Sequence, residues 1–267
     1  MRVAHFSDIH FFHFHKSPLQ FFSKRFLGNF NYYFNRKHVH DSHLAYEVLP
    51  RLKKQGVTHL IISGDYTTTA SSTEFQLMRD YVNTVKEQGF QLFTLPGNHD
   101  AYTKSAHRNQ SFFSYLGDLV PFGSLPDQHV AAFPLYESWQ LILIDCSFPT
   151  PLYKSTGIFS LPVEKSLKSL LNTLPKNANL VVTCHYPFER YKYPKAHLER
   201  GSHLKEIILN DPRIKLYLHG HRHLHRIETL NHLTIADSGS ISFKKKSSYN
   251  VIDFTETDFT ICKYDMV

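Results

Sequence analysis

The chain has 267 residues, 42% of them hydrophobic, which is enough for a packed core in one large domain or two small ones. No apolar stretch approaches the ~20 residues needed to cross a bilayer, which excludes a helical membrane protein. The net charge of +7 and pI near 9.2 favour anionic partners: phosphate esters, nucleic acid or an acidic membrane face.

In chain order, residues 3–6 read as a strand that starts almost at Met1, leaving no room for a signal peptide, so a cytoplasmic protein is expected. Residues 11–34 contain ten aromatics. Within 19–34, Leu19, Phe22, Phe26, Leu27, Phe30, Tyr33 and Phe34 share one helical face, with Lys24, Arg25, Gly28 and Asn31 opposite. Such a helix either lies at an interface or acyl-chain pocket, or packs on the protein's own core. A helix over 42–55 follows, which Pro50 should bend or shorten, then a strand at 59–62. Ser71-Ser72-Thr73-Glu74 is a capping box that opens a helix over 72–88, and Gly89 stops it. After a strand at 91–95 come a helix near 104–117, strands at 129–135 and 139–145, and a helix near 163–174. A strand at 180–183, a helix over 202–210 and a strand at 214–218 follow. The tail reads as strands at 226–230, 233–236, 249–254 and 259–264, the first two joined by a tight turn at Asn231-His232. Repeated βα units ending in antiparallel strands imply two packed sheets with helices outside. Lys244-Lys245-Lys246 reads as a solvated loop tip, and a nucleic-acid partner is not expected. Three widely spaced cysteines form no zinc-type pair and imply reduced thiols; Cys184 reads as a buried strand residue.

Five motifs sit behind these strands: Asp8-Ile9-His10, Gly64-Asp65, Gly97-Asn98-His99-Asp100, Cys184-His185 and Gly220-His221-Arg222-His223. Strand ends of an α/β sheet converge on one edge, where such folds place their ligands. The motifs run from Asp8 to His223, so one site, and hence one domain over 1–267, is expected. Mixed carboxylate, amide and imidazole donors suit Mn, Fe or Zn. On a regular strand Asp8 and His10 would share a face and bind one metal, with His223 completing it. Asn98, His185 and His221 would serve a second metal, and Asp65 would bridge both. Gly64 and Gly97 would permit turns that a Cβ obstructs. Two metals about 3.5–4 Å apart hold a bridging hydroxide and polarise a phosphoryl oxygen, so no separate nucleophile is needed. His99, offset along the turn, would bind a phosphate oxygen or protonate the leaving group, with Asp100 orienting it through its other nitrogen. Of the fourteen remaining histidines, His13, His15, His38 and His40 stand out because they flank the aromatic segment.

This motif set, over residues 2 to about 225, resembles the calcineurin-like metallophosphoesterase superfamily. The resemblance implies a four-layer α/β sandwich of two mixed sheets flanked by helices, two divalent metals held as described (Mn expected), and hydrolysis of phosphoric esters. The second motif reads Gly64-Asp65-Tyr66-Thr67-Thr68-Thr69 rather than the Gly-Asp-x-x-Asp-Arg-Gly of the protein phosphatases, which argues against that branch. It is similar to the bacterial branch of cyclic-nucleotide phosphodiesterases, glycerophosphodiesterases and UDP-2,3-diacylglucosamine pyrophosphatases.

The aromatic insertion at about 11–41 follows the Asp8/His10 pair directly and so should lie at the rim, with Phe22 and Phe26 as candidate acyl-chain contacts. A second rim element, 186–200, carries Tyr186, Arg190, Tyr191, Lys192, Tyr193, Lys195 and Arg200, whose arginines and lysines could hold a diphosphate while a tyrosine stacks on a base, with Arg222 as a further candidate contact; the alternative is a solvated basic loop. These features together resemble the lipid A pyrophosphatases. The resemblance implies cleavage of UDP-2,3-diacylglucosamine to UMP and lipid X, beside an anionic membrane. The alternatives are a cyclic-nucleotide or other soluble phosphodiesterase and a non-catalytic scaffold.

Overall fold

The computed structural model describes residues 1–14, 25, 38–151, 154–189 and 196–266. Two sheets dominate it. In the first, β1 (Arg2–Phe6), β2 (His59–Ile62) and β3 (Gln91–Thr94) run parallel. The same sheet is extended antiparallel on the other side of β1 by β12 (Ser248–Phe254) and β13 (Phe259–Asp265). The second sheet has a parallel centre of β5 (Trp139–Ile144), β7 (Asn179–Cys184), β9 (Ile214–His219) and β11 (Leu233–Ser238). Its antiparallel edges are β4 (Val130–Tyr136) and β10 (His225–Leu230). β6 (Gly157–Ile158) and β8 (Leu198–Glu199) pair separately.

Period-2 patterning explains the layers. From the second sheet, Leu141, Leu143, Val181, Leu216 and Leu218 join one core with the first sheet. That core also takes in buried residues of α1 (Leu44–Lys54) and α2 (Ser72–Glu87). The alternating partners Ile142, Ile144, Val182 and Tyr217 join a second core with α6 (Leu161–Thr173) and α7 (Gly201–Asn210). Each fully buried aliphatic side chain contributes roughly 1.5–3 kcal/mol, so a one-residue slip in any central strand would exchange two cores at once. Two mixed sheets with helices outside is the architecture that the sequence implied.

Local signals set most boundaries. The Ser71–Glu74 capping box forms in both directions, and Gly89 follows the helix at φ +77°. Asn231 takes φ +55° in the β10–β11 turn. α1 continues past Pro50 to Lys54, so the proline shortens nothing on its C-terminal side. The helix expected near 104–117 is instead two, α3 (Lys104–Arg108) and α4 (Ser111–Leu116), because Gln110 between them is left-handed at φ +48°. α5 (Leu125–Gln128) is a single turn that periodicity does not reveal.

Candidate metal centre

The five motifs lie just past the C-terminal ends of β1, β2, β3, β7 and β9. All five strands run parallel within their sheets, so the ends open on one edge. Asp8 and His10 do not extend β1, which stops at Phe6; both are left-handed, at φ +59° and +55°. Asp65, His221 and His223 are left-handed too, at +58°, +73° and +54°. Each such residue costs roughly 1–3 kcal/mol and persists only where its surroundings fix it. Here they do: Asp8 N donates to Gly64 O and His10 N to Asp65 O, both at 3.0 Å, while His221 N donates to Asp8 Oδ2 at 3.0 Å. Gly64 and Gly97 pass backbone against backbone. A Cβ on Gly64 would stand 2.6 Å from Gly97 N, and one on Gly97 2.1 Å from Asp65 Oδ1.

The donors converge in two overlapping sets. His223 Nε2 is 3.1 Å from Asp8 Oδ1 and 3.2 Å from His10 Nε2. His185 Nε2 is 3.3 Å from Asp65 Oδ2, 3.2 Å from Asn98 Oδ1 and 3.2 Å from His221 Nδ1. Asp8, His10 and His223 each offer one atom within 4.8 Å of the others; so do Asp65, His185 and His221, and so do His10, Asp65 and His99. Asp65 therefore belongs to both sides. The imidazole tautomers suit a metal. His185 Nδ1 is held at 2.7 Å by Ser63 O and His10 Nδ1 at 3.4 Å by Thr67 O, which leaves each Nε2 as the inward donor. Lone pairs that converge at 3.2 Å, beside carboxylates, fit a shared divalent cation.

The electrostatics agree. Burial alone would raise both buried carboxyls; His223 and His10 outweigh it at Asp8, and His185 and His99 at Asp65, so both stay ionised. Burial pushes His10 down. Burial, helped by the charge of His185, takes His221 to about 3, so both rings are neutral at physiological pH, the form that can bind a metal. Burial lowers His185 too, but Asp65 overrides it and lifts the ring to about 10, so metal binding there would displace a proton.

His99 Nδ1 lies 2.6 Å from Thr68 O, so the Thr68 carbonyl orients this ring; the expected orientation by Asp100 is a misassignment. Asp100 accepts instead from Tyr66 N, Thr67 N, Thr67 Oγ1 and Gly97 N, at 2.9–3.2 Å, and clamps the Asp65 loop to the Asn98 loop. Tyr186 is not at the rim either. It is fully buried, its ring 4.8 Å from that of His221 and 5.0 Å from that of His185. Arg200 caps α7 and pairs with Glu164, so it is not free for a diphosphate. Arg222 is half-buried on the His221–His223 turn. Phe22, Phe26, Arg190, Tyr191 and Lys192 lie outside the described residues.

Sequence reasoning missed a supporting layer. Ser240 and Ser242 Oγ both donate to Asp8 O, at 2.9 and 2.8 Å, and Ser7 Oγ donates to Asp8 Oδ2. His40, singled out only for its position beside the aromatic segment, is buried with its ring 5.4 Å from His10 and 5.2 Å from His223. Its Nδ1 is 3.0 Å from Ser242 Oγ. Serines in short tail loops carry no motif, so only the fold reveals them. The insertion is anchored on the other side too, where Arg25 donates to Thr69 O and Ala70 O at 3.2 and 2.7 Å.

Comparison with known proteins gives a matching family model, calcineurin-like phosphoesterase, over residues 1–225. A curated relative, a "Probable cyclic nucleotide phosphodiesterase" of Pseudoalteromonas sp. (strain SM9913), is 24% identical over 252 residues, covering 93% of this chain and 82% of its own. Among solved structures, a dimetal phosphatase from Danio rerio superposes with TM-score 0.61 at 10% identity, over 100% of this chain and 96% of that one. A purple acid phosphatase from yellow lupin (Lupinus luteus) superposes with TM-score 0.65 at 9% identity, over 99% of this chain and 51% of that one.

Proposed function

Because the chain belongs to the calcineurin-like phosphoesterase family and is a metal-dependent phosphoester hydrolase, we propose that its centre cleaves phosphodiester or diphosphate bonds with two divalent cations, Mn in the first place. The observation that carries this reading is the membership of Asp65 in donor sets on both sides of the site. Asp8, His10 and His223 would hold one cation, and Asn98, His185 and His221 the other, with Asp65 shared. When bound, the cations acidify water and neutralise phosphoryl charge. The remaining work falls to the chain. Oriented through Nδ1 by Thr68 O, His99 would bind a phosphoryl oxygen or give a proton to the leaving oxygen. Asp100 holds the two loops in register beneath it.

For the substrate, the first reading is UDP-2,3-diacylglucosamine, hydrolysed to UMP and lipid X at an anionic membrane face. It is supported by the aromatic insertion and its two anchors, Arg25 on the Asp65 loop and His40 against His10 and His223. No described helix is long and apolar enough to cross a membrane, so any membrane contact would be peripheral. The second reading, a cyclic-nucleotide phosphodiesterase, is favoured by the name of the curated relative. Turnover with Mn²⁺ on the lipid nucleotide, cyclic AMP and bis-p-nitrophenyl phosphate decides. Phe22→Ser with Phe26→Ser should raise KM for the lipid nucleotide ten-fold or more, since an aromatic that buries itself against an acyl chain contributes roughly 1.5–3 kcal/mol, and leave the small diester unchanged. Efficient cyclic AMP hydrolysis without lipid turnover would select the second reading.

A further inference from the structure

A groove of about 500 Å³ opens beside the metal centre, walled by His223, Leu224, His225, Lys245, Lys246, Lys263 and Asp265. Its wall includes a candidate metal ligand: His223 Nε2 lies 3.1 Å from Asp8 Oδ1. The rest comes from the turn after Phe243 and from the β12–β13 edge, where Asn250 pairs with Lys263 and Ser248 with Asp265. Lys263 is paired with Asp265 at 2.6 Å. Lys245 and Lys246 are exposed and have no ion pair among the described residues. The lining of the groove therefore carries an excess of two positive charges. A cleft lined by one sign of charge concentrates its field on an anionic ligand.

We propose that this groove is a subsite for a second anionic group of the substrate, next to the phosphoryl group held at the metals, and that Lys245 and Lys246 set a preference for diphosphate esters over singly charged phosphodiesters. This rests on the phosphoester-hydrolase reading of the centre. A cyclic nucleotide, with one negative charge, gains nothing from the groove; a nucleoside diphosphate ester has a second phosphate to place there. The lysine run after Phe243, which as sequence reads as a solvated loop tip, becomes a specificity element because the fold brings it beside His223.

The test is calorimetric titration of UMP and UDP into the Mn²⁺-loaded protein and into the K245E/K246E variant, at fixed excess metal. Both lysines are exposed, so the variant should keep the wild-type Tm and metal content. Reversing two charges near the added phosphate should weaken UDP roughly ten-fold, the scale of two Coulomb contacts at a solvated surface, while UMP shifts less than two-fold. K245A/K246A should fall between. Equal shifts for the two nucleotides, or none, overturn the subsite. Hydrolysis of bis-p-nitrophenyl phosphate reads the other premise: it should survive in the variant with kcat unchanged. A wild type that hydrolyses neither diesters nor diphosphate esters but still shows the UDP selectivity would refute the hydrolase reading and leave the subsite standing.

Discussion

The chemistry of single residues turns on Asp65. A carboxylate shared by both donor sets should matter to both metals, so Asp65→Ala is expected to lose both equivalents in metal analysis and to abolish turnover. His223→Ala should lose chiefly the cation of the Asp8 and His10 side; two equivalents retained in Asp65→Ala would end the assignment. His99 is the finer case, because its donor atom lies within 4.8 Å of those of His10 and Asp65. As a phosphate donor or acid, His99→Ala should keep both metals and lose on the order of 10²-fold in kcat. A variant that instead loses a metal makes His99 a ligand. All these residues were legible as sequence, since each is a polar group placed straight after an apolar run. Their left-handed backbones were not: a regular strand through Asp8 and His10 puts two side chains on one face, and the observed loop achieves the same convergence by another route.

Loops rather than strands align the site, and two buried acids hold them. Glu74, in the first turn of α2, accepts from Thr69 N, Ser71 N and His13 N, tying the capping box to the Asp65 loop and to the start of the insertion. Asp100 does the same between the Asp65 and Asn98 loops. Removing one acceptor strands several buried donors at about 1–3 kcal/mol each. Asp100→Ala should therefore lower stability by roughly 3 kcal/mol, a fall in Tm of about 5–10 °C, and should lower activity even in protein that remains folded. Asp100→Asn, which keeps one carbonyl oxygen, should lie between. Thermal melts of the three proteins check this; an unchanged Tm in Asp100→Ala would show that the clamp contributes nothing.

Across the whole molecule, the sheets are joined behind the site by a buried polar chain. His5 Nε2 is 2.9 Å from Ser63 Oγ, its Nδ1 is 3.3 Å from Asn250 Nδ2, and Asn250 Oδ1 is 2.7 Å from His225 Nε2 on the other sheet. Burial, with the charges of His219 and His225, lowers His5 to about 3 from 6.5. Below pH 6.5 the unfolded chain then binds a proton that the folded protein refuses, so stability falls as pH drops from 6.5 toward 3. The slope approaches about 1.4 kcal/mol per pH unit. Between pH 7 and 5, urea unfolding should show His5→Gln losing about 2 kcal/mol less than the wild type. Equal losses would place the acid sensitivity elsewhere.

Most of the strand and helix order, the layered architecture and the polar residues at the strand ends could be read from the amino-acid sequence alone. Apolar periodicity and capping chemistry are local, and a side chain's donor atoms travel with its identity. What brings those donors within 4.8 Å of one another emerged only in the folded molecule. Ser240, Ser242 and His40 reach Asp8, His10 and His223 from about 30 to 230 residues away, through contacts that no spacing encodes. It also reassigned roles that sequence position had suggested, turning Asp100 from a partner of His99 into a loop clamp and burying Tyr186 under His221. Which backbone amide or ring a polar group meets depends on how two sheets pack, and that is a property of the folded chain alone.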